Sequence, residues 1–336
     1  SATVVADRWI VRAESAVGFD LPRGWDSGAI GEGFYVLVTP GASSIQVQAW
    51  ANATAGVWYV EPNFVLESLA TRPTDPFYGD LWGLENTGQQ GGAPGADISA
   101  PIAWDVTTGS SDIVIAVIDS GVDYTHPDLA ENIWINPGEI AGDGIDNDGN
   151  GFIDDVRGWD FADGDNDPMD EDIHGTHVAG TIGAVANNGI GIAGVAWDVQ
   201  ILPLKIFGGG PTTTLQAAIG ALDYLARLRR DFGVNVVASN NSWGGYFYSQ
   251  ALKDVIDACG DVGILTIAAA GNDGNNNDGR MAAYPASYDS PSIIAVAATD
   301  RFDELAGFSN YGARSVDVGA PGVGILSTVP GGEYAV

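Results

Sequence analysis

The chain has 336 residues, with 13 lysines and arginines against 44 aspartates and glutamates, a formal net charge of −31. So acidic a surface repels nucleic acid and anionic lipid, which excludes both as expected partners, and no apolar run approaches the roughly 18 residues of a membrane span. With 45% hydrophobic residues and 10 tryptophans the chain can fill a sizeable core. Its one cysteine, Cys259, allows no intrachain disulfide, and the apolar stretch around it reads as a buried small hydrophobe.

The length suggests about two domains. In chain order, RWIVRA and GFYVLV have strand character, SIQVQAWANA is helix-like, and VWYVEPNFVLES returns to strand, so residues 1–70 are predicted to form a small α+β unit. ATRPTDP, with two prolines and no apolar periodicity, marks the boundary. Residues 71–336 then alternate short β-branched runs with helical stretches: IVIAVID, THVAGTIGAVA, VQILPLKIF, LQAAIGALDYLARLRR, VNVVASNNS, ALKDVIDAC, ILTIAAAGN and SIIAVAAT. Continuous apolar strands separated by helices predict an α/β fold, a parallel β-sheet sandwiched by helices. In such sheets binding groups gather at the carboxyl ends of strands, where Asp119, Asn241, Ser242 and Asn272 fall.

An aspartate closing a buried strand, as in IVIAVIDSGVD, is costly to keep charged without a partner. A helix N-cap would be its ordinary use. HGTHVAGTIGA puts His174 at the mouth of a helix whose small residues permit close packing, and two of the three histidines lie in this one segment. In GDGIDNDGNGFIDD, Asp146, Asp148 and Asn150 are spaced by two and followed by Gly151, a pattern that converges oxygens on a hard cation. Asp154 or Asp155, with a carbonyl from Phe152, would close that shell. Arg157 stands where a complete loop of this kind has glutamate.

IDSGVDYTHPDL, HGTHVAGTIGAVANN, NNSWGG, AAAGNDG and GFSNYGARSVDVGAPG resemble, in order, successive blocks of the subtilisin-like serine protease family, the subtilases. The resemblance implies a serine endopeptidase acting on protein or peptide substrates, secreted and monomeric. It makes Asp119 the residue that orients His174, His174 the general base and Asn272 the oxyanion donor. Ser242, Trp243 and Gly244 would pair with the substrate backbone, and Gly271 with Tyr284 to Ala286 would shape a broad primary pocket. The first 70 residues resemble the family's inhibitory prodomain, whose tail near VLESLATRP would lie in the cleft and be cut between about Leu66 and Thr74. The family's nucleophile lies in a GTSMA-type block shortly after a segment like ILSTVPGG. No such block precedes Val336, and Ser309 and Ser327 stand where the family has no nucleophile. The chain as it stands is therefore expected to be cut short and unable to cleave peptides.

Two to three calcium sites are expected. Beside the Asp146 loop, resemblance to thermitase-like members carries over Asp160, Asp163 and Asp165 as one ligand set. It also carries over Asp75, Asp128, Val185, Asn188, Ile190 and Ile192 as another. Two rival readings are a zinc hydrolase using His174 and His177, which lacks the glutamate of HExxH, and a calcium-stabilised module that binds peptides without cutting them.

Overall fold

The computed structural model describes residues 4–14, 18–65 and 70–336, and the chain divides into two units, Ser1–Leu69 and Ala70–Val336. In the first, β1 (Val4–Ala13), β2 (Asp26–Gly31), β3 (Phe34–Val38) and β4 (Val57–Phe64) form an antiparallel sheet in the order β2-β3-β1-β4, with α1 (Ser44–Ala53) between β3 and β4. Helix α1 starts at a capping box. Ser43 Oγ accepts from the Gln46 amide, and the Gln46 side chain accepts from the Ser43 amide. Val47 and Ala51 of α1 pack on Val11, Leu37 and Val60 of the sheet. The strand β2 is not legible in DSGAIG, which has no apolar alternation; its ladder with β3 makes it a strand. Residues 66–69, the core of the proposed cleft tail, lie outside the described residues.

The second unit begins with a short helix, α2 (Ala100–Trp104), and the long strand β5 (Gly109–Asp119). There follow β6 (Trp159–Asp160), α3 (His174–Gly183), β7 (Asp198–Lys205), α4 (Leu215–Asp231), β8 (Val236–Asn241), α5 (Gln250–Asp261), β9 (Leu265–Ala269), β10 (Ile293–Thr299) and β11 (Val318–Pro321). A small hairpin of β12 (Ser327–Val329) and β13 (Glu333–Ala335) ends it. Seven strands form one parallel sheet, β11-β10-β9-β8-β5-β7-β6.

Successive residues of a strand face opposite ways, and the two faces of this sheet differ. Val114, Ala116 and Ile118 of β5, Leu202 and Leu204 of β7, and Ile293 and Ala295 of β10 pack beneath α4 and α5, against Leu222, Leu225, Ile256 and Cys259. A fully buried leucine contributes about 1.5–3 kcal/mol, so α4, which buries Leu222, Leu225 and Leu228, is held mainly by packing. Thr214 and Ser249 cap α4 and α5, accepting from the amides of Ala217 and Leu252. On the other face α3 covers β5 and β7, with Ala179, Val178 and Ile182 against Val117, Val199 and Ile201. Beyond β5 that face is less covered among the described residues. Leu265, Ile267 and Ala269 of β9, Ile294, Val296 and Ala298 of β10, and Val318 of β11 are all partly or fully exposed. A parallel sheet ordinarily has both faces covered.

Candidate active site

Asp119 ends β5 and His174 begins α3. The carboxylate is 1% exposed, and His174 Nδ1 meets its Oδ1 at 2.7 Å. The Ser120 amide donates to the same oxygen at 2.8 Å, while Oδ2 is buried without a hydrogen-bond donor among the described residues. The helix reaches the strand end because Gly175 has no side chain. A Cβ there would lie 2.0 Å from the Gly121 carbonyl oxygen and 3.1 Å from Asp119 Cβ. Gly121 itself has φ +105°, and a Cβ on it would strike the Pro168 carbonyl. The hydrogen bond to Asp119 raises the His174 pKa against the opposing effect of burial, and the charges of Asp119, Asp170 and Asp172 add to it. With Nδ1 held by the carboxylate, the ring's Nε2 is the nitrogen that can take a proton from a neighbouring hydroxyl.

Asn272 follows β9, two strands from β5 in the same sheet and at the same carboxyl edge, so about 10 Å separates the two strand ends at the usual inter-strand spacing. It lines a cavity of about 490 Å³ with Ser242, Trp243, Gly244, Gly271 and Tyr284. The wall is fixed by reciprocal backbone bonds between Gly245 and Tyr284, 2.9 and 2.8 Å long, beside the cis peptide Tyr284-Pro285. Gly271, at φ +112°, also leaves room for Asn310, whose Nδ2 would lie 2.3 Å from a Cβ there. Asn310 was not singled out from the sequence, yet it organises the Asn272 loop. Its Nδ2 donates to the Ala270 carbonyl, and its Oδ1 accepts from the amides of Asp273 and Asn275. Its only sequence signal is the asparagine inside GFSNYG.

The acidic loop forms a tighter group than its spacing suggests. Asp148 and Asp155 come together with Glu139, with ligand atoms within 4.8 Å of one another, and Glu139 was not foreseen because it lies outside the loop, seven residues before Asp146. Asn150 donates to both aspartates. Burial pushes the Asp155 carboxyl up to about 6, despite donors from Tyr224, Asn150 and Asn136. The structure directs Asp146 and Asp154 elsewhere. Asp146 accepts from the amides of Gly149, Asn150 and Gly151, and Asp154 accepts from those of Gly142, Asp143 and Gly144. The Phe152 ring packs on Trp159 and Tyr224. Asp160 is neutralised by Lys205 at 3.0 Å, the Asp165 carboxylate accepts from the Asp167 amide, and Asp163 is exposed.

The Asp75 set gathers closely. Asp128 is fully buried and takes donors from Asn188 Nδ2 at 2.6 Å, the Ile192 amide at 2.9 Å and Tyr334 Oη at 3.1 Å. Burial still raises its pKa. The Val185 amide donates to the Asp128 carbonyl, and Asn188 Oδ1 accepts from the Ile190 amide. Asp75, 4% exposed, accepts from the Asn187 amide through Oδ2, but its Oδ1 is buried without a partner among the described residues. A buried carboxylate oxygen without a donor fits a bound cation.

His177 does not join His174, because its Nε2 lies 3.0 Å from the Ile325 carbonyl. Two serine hydroxyls are also engaged, Ser327 Oγ with the His177 carbonyl and Ser309 Oγ with the Asn310 carbonyl.

Comparison with known proteins identifies the family. The model of the subtilase family matches residues 110–335. The chain is 39% identical over 280 residues to a thermophilic serine proteinase of Bacillus sp. (strain AK1), covering 83% of this chain but only 58% of that protein. It is 38% identical over 238 residues to thermitase of Thermoactinomyces vulgaris, covering 71% of this chain and 72% of the other. Among solved structures, a protease of Pseudoalteromonas arctica superposes with a TM-score of 0.61 at 27% identity, over 79% of this chain and 81% of its own. A family match across two thirds of the chain, on a parallel sheet that joins an aspartate and a histidine at its carboxyl edge, shows that the chain belongs to the subtilase family.

Proposed function

We propose that the protein is a serine endopeptidase precursor that hydrolyses peptide bonds by acyl transfer to a serine hydroxyl and then to water. The observation that carries this reading is the 2.7 Å contact between His174 Nδ1 and the buried Asp119 carboxylate, at the edge where Asn272 lines a substrate-sized cavity. His174 takes the hydroxyl proton as general base, Asp119 holds the ring and supports its charged form, and the Asn272 amide donates to the developing oxyanion. Ser242, Trp243 and Gly244 offer the substrate an extended edge, and Gly271 keeps the cavity floor open.

The family's serine block is not among these residues, and the hydroxyls of Ser309 and Ser327 are engaged with backbone carbonyls, so neither is assigned as the nucleophile. Residues 1–70 act as an intramolecular inhibitor, and the protein is secreted as a monomer. Calcium, common in subtilases, would be held by Asp75, Asp128, Asn188 and carbonyls of the 185–192 loop. Asp148, Asp155 and Glu139 offer a second group. The ion would supply the positive charge that these buried carboxylates lack.

The test is covalent labelling with a fluorophosphonate. Protein carrying the natural sequence through the serine block should label and should cut itself between about Leu66 and Thr74. Labelling should vanish in His174→Ala and survive a zinc-selective chelator. A serine-containing protein that folds but neither labels nor cleaves would overturn the protease reading in favour of a peptide-binding module.

A further inference from the structure

The contact between His174 and Asp119 joins two elements that are far apart in sequence, and neither residue can by itself hold α3 against the end of β5. Helix α3 has no capping side chain at Ile173, the residue before it. Its first amides are met instead by a carboxylate four residues upstream of His174. Asp170, 6% exposed, accepts from the Thr176 amide at 2.9 Å and from Thr176 Oγ1 at 2.6 Å through Oδ2. Through Oδ1 it accepts from Ser120 Oγ at 2.9 Å and from the Asp172 amide at 2.9 Å. Ser120 Oγ in turn accepts from the Gly175 amide at 2.9 Å, and the Ser120 amide donates to Asp119 Oδ1.

A closed chain of bonds therefore runs from Asp119 through Ser120 and Asp170 to the two residues that follow His174. All four acceptor positions used on Asp170 are filled, and its charge lies at the positive end of the helix, where an anion is favoured. We propose that Asp170 is the positioning residue that, through Ser120, locks the start of α3 to the end of β5 and so sets the His174–Asp119 bond. This assignment rests on the reading of His174 as general base. Asp170 does not touch the imidazole; it acts through the backbone of Gly175 and Thr176.

Three histidines, His126, His174 and His177, make imidazole NMR a direct assay on the chain as it is, with no need for a nucleophile. The groups whose charge acts on His174 are Asp119, Asp170 and Asp172, and His177 is a neighbouring titrating ring. In the wild type the Nδ1 proton held by Asp119 should give a strongly downfield resonance. Its absence would overturn the general-base reading itself.

Given that resonance, Asp170→Asn should abolish it, because the amide cannot accept all four donors, and should also lower the His174 pKa. Asp172→Asn removes a nearby charge from an exposed residue without breaking the bond chain. It should lower the pKa while keeping the resonance. Retention of the resonance in Asp170→Asn, or its equal loss in Asp172→Asn, would overturn the proposal. Unchanged His126 and His177 signals report that the fold is intact. If Asp170→Asn fails to fold, Ser120→Ala decides: it keeps the Thr176 bonds but cuts the bridge, so the resonance should weaken or vanish, and an unaltered one would overturn the role.

Discussion

Gly175→Ala puts the closest approach in the site to a direct test. The added methyl would stand 2.0 Å from the Gly121 carbonyl oxygen, whereas real Cβ atoms do not come within 3.0 Å, and the obstacle is backbone that cannot rotate away. The start of α3 must therefore withdraw by about 1 Å, which is enough to open the 2.7 Å His174–Asp119 bond past the ~3.5 Å at which a hydrogen bond is lost. Overpacking of this kind costs about 1–3 kcal/mol, and a 1 Å misplacement costs on the order of 10²-fold in rate once a nucleophile is present.

Two assays read the result, urea unfolding and titration of the His174 ring. The variant should unfold at lower urea and titrate nearer an unperturbed histidine. Because the folded wild type holds the His174 proton more tightly than the unfolded chain, the pair adds stability below pH ~6.5 that fades as pH rises through the raised folded value. The stability gap between wild type and variant should therefore narrow at higher pH. A variant with wild-type stability and an unmoved His174 titration would refute the argument that Gly175 permits this contact.

Three further outcomes are expected. Calcium should raise the melting temperature and excess EDTA lower it, by the equivalent of about 2.7 kcal/mol at a hundred times the dissociation constant; Asp128→Asn should shrink that difference, and identical melting in calcium and EDTA would remove the calcium argument. Leu222→Ala, at a fully buried position beneath the sheet, should cost about 2–5 kcal/mol in urea unfolding, and a loss well under 1 kcal/mol would contradict the packing described for α4. Burial pushes the Cys259 thiol up to about 12, and its Sγ donates to the Leu222 carbonyl, so thiol reagents at pH 8 should react only as fast as the protein unfolds; immediate labelling would show an accessible thiolate.

Much of this molecule could be read from local pattern. The alternation of IVIAVID, VQILPLKIF and ILTIAAAGN with helical stretches pointed to a parallel sheet, because strands covered on both faces are apolar along their whole length. The aspartate closing β5 stood out because charge at the end of a buried strand needs a partner, but its pairing with His174 was implied only by the family resemblance. What stayed hidden depended on residues that meet only after folding. Glu139 joins Asp148 and Asp155 because the loop doubles back, Asp146 and Asp154 turn to backbone amides elsewhere in the loop, and Asp160 is neutralised by Lys205 from the adjacent strand. DSGAIG becomes a strand through its ladder with β3 alone. Spacing along the chain thus determined which residues could carry chemistry. Three-dimensional closure decided which of them share a site, since a carboxylate goes to whichever donor or cation the fold brings within about 3 Å, and sequence distance does not measure that.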